Sequence, residues 1–503
     1  LATLLGREGD PESFRDVYPF NPALVQVLVA VSALLQRERT ALRVMLQLLV
    51  THRETLRLGD LVPLGDLFDE IASGDEPFTA EMKIHFDRAR RLYLQKLLPL
   101  LERHHGLSRD EARALPWDDP RAVQFRGDDR LMKTLLLAAL APDVEALKEM
   151  TAGRLGALNH GSIRSPIPGG EAKLALSRVR HWATQVGEIR VGGDANPTIA
   201  LQLSGVDTQS IVEKAKIQDA LGNRKLVIKR LLADQLGLPP SLLDDQRLLP
   251  PFHTFSWRGT IRQVEVVFAN IRELPFDSLR STSGEWKVII DLPFDTGSHT
   301  ARDDLHKVEE FQRSAEPNTP TFCWVPEFFS FDLQADLGTY VVLDFLLTSA
   351  ERFDEHASHL SAVDRAQARA LLDNQRSQLR QRLISGLEAA YGVATDSGNL
   401  VGSSLELADR FQSLDKGFQP RPPAAANLRD ALTGLLDQIF TWRFPHHPKF
   451  DAEVKTRDLK KVLDVAVRAA HEPQMRLEVE KELRPVMRQI ANPLRLGEMH
   501  ESA

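Results

Sequence analysis

Cysteine is nearly missing from this chain: one residue, Cys323, in 503. No internal disulfide framework and no cysteine-based zinc cluster can form, which suits a reducing compartment. Cys323 lies in the apolar run TFCWVPEFF and reads as a buried core residue. Long hydrophobic runs are missing too, and the start lacks the basic-then-apolar pattern of a signal peptide, so a cytoplasmic protein with no membrane partner is expected. A positive excess is also lacking. With 63 basic residues against 70 acidic ones and a formal charge of −7, the chain does not coat nucleic acid along its whole length, and any such site must be local. Finally, there is no G-x-x-x-x-G-K-[ST] phosphate loop, no Gly-Lys pair and no G-x-S-x-G nucleophile elbow. No catalytic residue is assigned, and the chain alone is expected not to hydrolyse ATP.

What is there is mostly amphipathic helix. The length exceeds one hydrophobic core and predicts several domains. The fold class read from the pattern is mainly α with an α/β middle. Residues 1–125 form a helical unit that opens with YPFNPALVQVLVAVSALLQ, where Asn21 caps, Pro22 takes the first helical position, and Leu24, Val27, Leu28, Val31, Leu34 and Leu35 form the apolar stripe. The next helix, RERTALRVMLQLL, sets Arg39 and Arg43 four residues apart, opposite a stripe read as Leu42, Met45, Leu46 and Leu49. Arg88, Arg90 and Arg91 mark an outer face further on. The chain begins LATLLGREGD without a methionine, from which a fragment of a longer protein is expected.

Residues 126–206 read as three helices followed by EIRV, the turn GGDANP and TIALQL, the element order of a winged helix. In the third helix Ala175, Val179, Trp182, Ala183 and Val186 make the buried stripe. Lys173, Ser177, Arg180 and Thr184 then form a row on the opposite face, where a recognition helix carries contacts to double-stranded DNA. A module that binds only protein has the same pattern, and the two readings stand side by side. Residues 207–348 read as an α/β domain with strands in HTFSW, IRQVEVVFANI, WKVIIDLPF and PTFCWVPEF. Residues 349–503 read as a helical domain whose long Arg/Gln-rich helix, SAVDRAQARALLDNQRSQLRQRLISGLEAAYG, suits partner docking.

A helical unit followed by a winged helix resembles the AAA+ ATPases, in which a helical lid follows the nucleotide-binding core. The resemblance implies that Arg39, with Arg43 one turn later, senses nucleotide phosphate, a task that suits a planar guanidinium. The stretches YPFNPALVQVLVAVSALLQRERTALRVMLQLL, FDEIASGDEPFTAEMKIHF, ALNHGSIRSPIPGGEA, TIALQLSGVDTQSIVEKA and FPHHPKF, among others, are similar to the large P-loop ATPases of bacterial phage-defence systems, the phage growth limitation protein Y family of the BREX group. That similarity implies an AAA+-type ATPase of antiviral defence that works with a methyltransferase, a phosphatase-like protein and DNA, with oligomers open. ATP and Mg²⁺ would be held by a core upstream of Leu1, and no cofactor is expected on these residues.

Two other classes stay open. One is a non-catalytic interaction scaffold. The other is an Mg²⁺-dependent nuclease of PD-(D/E)xK type: helix, three strands, helix, strand is its core order, E-W-K at Glu285–Lys287 opens the third strand, and Glu265 is an acidic partner on the second. The acidic ends VIIDLP at Asp291 and LFDE at Asp69–Glu70 read as a strand terminus and a helix face. His104–His105, His356 with His359, and His446–His447 read as helix ends and turns, so no metal is predicted.

Overall fold

In a computed structural model of the chain, the helix Pro22–Leu34 starts as its sequence dictates: the Asn21 side chain accepts the Leu24 N–H at 2.7 Å, and Pro22 costs no hydrogen bond at the first helical position. The structure describes residues 15–34, 39–72, 80–194, 196–243, 252–314, 318–394, 399–474 and 477–496; of residues 31–34, 39, 40, 72 and 80–82 it describes the backbone alone. Leu24, Val27 and Leu28 are buried as expected, while the side chains of Val31, Leu34 and Leu35 lie outside the described residues. The architecture is mainly helical with one small mixed sheet. Two compact units divide it, Leu1–Gln218 with Val342–Arg380, and Asp219–Val341 with Gln381–Ala503.

In the first unit the helices Arg39–His52, Asp66–Ala72, Ala80–Leu92, Leu98–His105, Pro120–Leu140, Ala152–Leu158 and Glu171–Gln185 precede an antiparallel hairpin, β1 (Ile189–Val191) with β2 (Ile199–Leu201), in the register Ile189↔Leu201. One hydrophobic core runs from Phe20 to Leu201. The division expected at 125/126 therefore falls inside a packed body, and indeed inside the helix Pro120–Leu140. That helix starts earlier than its apolar run because Asp119 caps it, accepting the N–H groups of Arg121 and Ala122, with Pro120 next. The stripe Ala175, Val179, Trp182, Ala183 and Val186 is buried as read, and Arg88, Arg90 and Arg91 are exposed.

The second unit holds a five-stranded sheet in the order β3 (Phe252–Trp257), β4 (Thr260–Phe268), β5 (Lys287–Ile290), β6 (Thr321–Trp324), β7 (Phe411–Ser413). The pairs β4–β5 and β5–β6 are parallel and the outer pairs antiparallel. Both faces are covered, which is why β5 and β6 read as continuous apolar runs. Ile289 and Cys323 face the helix Ala301–Gln312 with its Leu305, Val308 and Phe311. Trp324 meets Tyr391 edge-to-face with ring centroids 5.2 Å apart and the tilted ring of Phe411 at 5.9 Å. The α/β domain does not close at residue 348: β7 comes from beyond it, and three residues are too few to show a period of two in a helical stretch.

Candidate functional site

Arg39 is the first residue of the helix Arg39–His52, and its side chain lies outside the described residues. Arg43 is exposed one turn later. The stripe expected opposite it is corrected. Val44 and Leu48 are buried with Ala41 and Met45 against them, whereas Leu42 is 73 % and Leu46 63 % exposed. Apolar residues surround this helix, so their period does not choose a buried side. Arg43 shares the exposed side with Leu46 and Val50.

On the helix Glu171–Gln185, Lys173, Ser177 and Arg180 stand exposed at positions i, i+4 and i+7, opposite the buried stripe. Thr184 leaves the row. It is only 2 % exposed, its hydroxyl donates to the His181 carbonyl at 2.7 Å, and its own carbonyl accepts the Gln375 side chain at 2.8 Å. The helix Ala362–Ala390 covers this last turn, a tertiary contact that no spacing within 171–185 announces.

Beneath the exposed row the same helix is anchored by charge. Asp128, buried, takes Arg178 on one carboxylate oxygen and His105 Nε2 on the other at 3.0 Å, while His181 lies beside His104 with ring centroids 5.4 Å apart. The ligand-capable atoms of His104, His105 and Asp128 fall within 4.8 Å of one another. Both Asp128 oxygens are occupied, so this cluster acts as an ion-pair hub that joins three helices. A second hub lies nearby: Lys133, buried, donates to Asp69 at 2.7 Å and to Asp129 at 2.5 Å, and Tyr93 donates to Asp129 at 2.6 Å. Burial and the Asp129 charge push the Tyr93 hydroxyl well above the usual phenol range.

In the second unit the nuclease constellation is not assembled. Glu265 on β4 and Lys287 on β5 are direct register partners, and the Lys287 ammonium is 3.1 Å from a Glu265 oxygen, so the lysine is neutralised by the very carboxylate that would bind the metal. Glu285 precedes β5, is half-buried, and faces Arg443 at 3.9 Å. Of the other histidines singled out, His356 is taken by the Arg352 carbonyl at 2.9 Å, His359 by Ser210 and Lys214, and His447 by the Pro448 carbonyl.

The carboxyl edge of the parallel strands carries a cluster that the spacing did not single out. Asp291 follows β5 directly and is fully buried. Its Oδ1 accepts the N–H groups of Ile271 at 3.1 Å and Leu292 at 2.8 Å, and its carbonyl accepts the Tyr391 hydroxyl. Asp304, in the first turn of Ala301–Gln312, is also fully buried and adjoins it. Four residues on from Asp291, Asp295 is held by Arg272, whose Nε and Nη2 donate at 2.7 and 2.5 Å. Burial, with Asp295 close by, pushes the Asp304 carboxyl up to about 7; burial and Asp304 raise Asp291. A sequence signal existed: Asp304 sits on the buried stripe Ala301, Leu305, Val308, Phe311, where a charge is out of place.

Three family models match the chain. The BREX System ATPase PglY protein 2nd domain matches residues 1–195, the PglY fourth domain residues 211–444, and the BREX System ATPase PglY protein 5th domain residues 457–503. No solved structure matches. Among the described residues no helix is long and apolar enough to cross a membrane.

Proposed function

The chain belongs to the PglY family of BREX phage-defence ATPases, and from that premise we propose that it is the arm through which ATP turnover in a nucleotide-binding core engages DNA. Residues 120–201 act as a winged helix, with Lys173, Ser177 and Arg180 against the phosphates and groove of a duplex. The observation that carries this reading is that row: two cations and a hydroxyl on the solvent side of a helix whose other side is locked by a buried stripe and by Arg178–Asp128. The helices before it act as an AAA+-type lid, in which Arg39 and Arg43 meet nucleotide phosphates and exposed Leu42 and Leu46 rest on the core. With no Gly-Lys pair in the chain, these residues do not themselves cradle a triphosphate, and no chemical step is assigned to them. Other defence-system proteins, among them the methyltransferase and the phosphatase-like protein, are the partners of this arm in the cytoplasm.

The test is duplex-DNA affinity measured by anisotropy between 50 and 200 mM salt, with wild type and Lys173→Ala/Arg180→Ala. Each lost phosphate contact lowers the slope of log K against log salt by about 0.9, so the double variant binds more weakly with a slope smaller by about 2. Thr184→Ser leaves both unchanged. Equal affinity and slope in wild type and double variant would return the module to the scaffold reading.

A further inference from the structure

Three imidazoles gather beside the Asp128 hub of the first unit. His104 and His105 end the helix Leu98–His105, and His181 comes from the helix Glu171–Gln185. His104 stands between the other two, with ring centroids 5.0 Å from His105 and 5.4 Å from His181. Nitrogens about 2.0 Å from one tetrahedral cation set their rings roughly 5 Å apart, so both spacings are those of imidazoles that share an ion. The tautomer of His105 is fixed by its partner. Asp128, buried and held by Arg178, accepts from His105 Nε2 at 3.0 Å, so that nitrogen carries the proton and Nδ1 keeps a lone pair. His105 Nδ1 makes no hydrogen bond to a described residue. Both neighbouring histidines also occupy the last turn of their helix, where the main-chain dipoles favour a cation.

We propose that His104, His105 through Nδ1, and His181 bind a divalent transition cation of the Zn²⁺ class, with water as the fourth ligand. An all-imidazole set selects such a metal over Mg²⁺ and Ca²⁺, which take oxygen. Asp128 does not touch the ion: it orients the His105 ring and raises its basicity, the part a carboxylate plays behind a metal-bound histidine. His104 is exposed and provides the way in. Once bound, the ion pins Glu171–Gln185 to Leu98–His105 at a second point beside Arg178–Asp128, and so steadies the helix that presents Lys173, Ser177 and Arg180. The site does not depend on the DNA reading.

The test uses the whole chain, stripped with chelator. Titration with CoCl₂ followed by visible d–d absorption is expected to show one tetrahedral Co²⁺ per chain bound at micromolar concentration, displaced by ZnCl₂ and not by MgCl₂, with a rise in melting temperature. His104→Ala and His181→Gln each weaken uptake by about tenfold or more, whereas His359→Ala leaves it unchanged. Circular dichroism confirms that each variant is folded. Should His181→Gln fail to fold, Cu²⁺ loaded on wild type is expected to show electron paramagnetic resonance splitting from more than one imidazole nitrogen. A folded wild-type chain that takes up neither Co²⁺ nor Zn²⁺ below millimolar concentration, uptake unchanged in folded His104→Ala, uptake lost in His359→Ala, or Cu²⁺ without imidazole splitting would each overturn the proposal, leaving the histidines as packing around Asp128.

Discussion

The side-chain amide of Asn374 donates to two main-chain carbonyls at once, Gly187 at 2.8 Å and Ile189 at 2.9 Å. Gln375 and Gln378 do the same to Thr184 and Val191, at 2.8 and 3.1 Å. The polar face of the long helix that suits an outside partner is, along 374–378, spent on the hairpin of its own unit. Asn374→Ala leaves two carbonyls short of a donor and is expected to destabilise the first unit by about 1–3 kcal/mol in urea unfolding. Faster amide exchange at β1 checks that the loss is local.

Gly187 lies where the backbone before β1 meets the same helix. A Cβ there falls 2.5 Å from the Leu371 carbonyl oxygen, and backbone does not yield as a side chain does. Gly187→Ala is expected to cost roughly 1–3 kcal/mol by overpacking. Gly193 in the hairpin turn has open space around it, so Gly193→Ala serves as the neutral control in the same thermal melts.

Lys133 is the cation that pairs directly with Asp129 in the Tyr93 cluster and bridges Asp69 as well, which Arg109 also holds at 2.9 Å. Lys133→Met strands buried negative charge and is expected to destabilise by about 3–5 kcal/mol. Adding Asp129→Asn removes part of that charge, so the double variant should be more stable than the sum of the single losses indicates, a coupling that a double-mutant cycle measures.

Asp66 contributes to the acid limb of stability. Burial alone would raise its carboxyl, but Arg130 at 2.9 Å and His52 at 2.9 Å hold it well below the usual carboxylate range. The unfolded chain then binds more protons than the folded one. The contribution is full above the ordinary value of 3.8 and disappears as pH falls through the lower folded value. Denaturant titrations between pH 5 and 2 should show a shallower loss of stability for Asp66→Asn than for wild type.

For Arg39, the informative protein is one that carries the nucleotide-binding core together with this chain. Arg39→Ala is expected to slow ATP turnover at least tenfold with a modest loss of nucleotide affinity, measured at matched folding. Unchanged kinetics would place the arginine in solvent.

Local chemistry was legible wherever residues close in the chain decide it. Asn21-Pro22 starts a helix because a side-chain acceptor and a ring with fixed φ suffice. The stripe on 171–185 is unambiguous because polar residues fill the opposite side. The apolar runs of β5 and β6 announce strands covered on both faces. Arg39–His52 was misread for the converse reason: its leucines and valines surround the helix, and only neighbouring elements select the buried ones.

The helical character, the strands of the α/β region and the solvent row Lys173, Ser177 and Arg180 follow from the sequence by itself, because period and cap residues act over a few positions, and the family follows from the similarity of whole stretches. The burial of Thr184, the arrival of β7, the pairing of Lys287 with Glu265 and the meeting of Asp291 with Asp304 were decided only by the tertiary structure. Each depends on segments 13 to about 190 residues apart brought into register by burial of apolar surface, which is non-directional and leaves no local mark on the polar residues carried along with it.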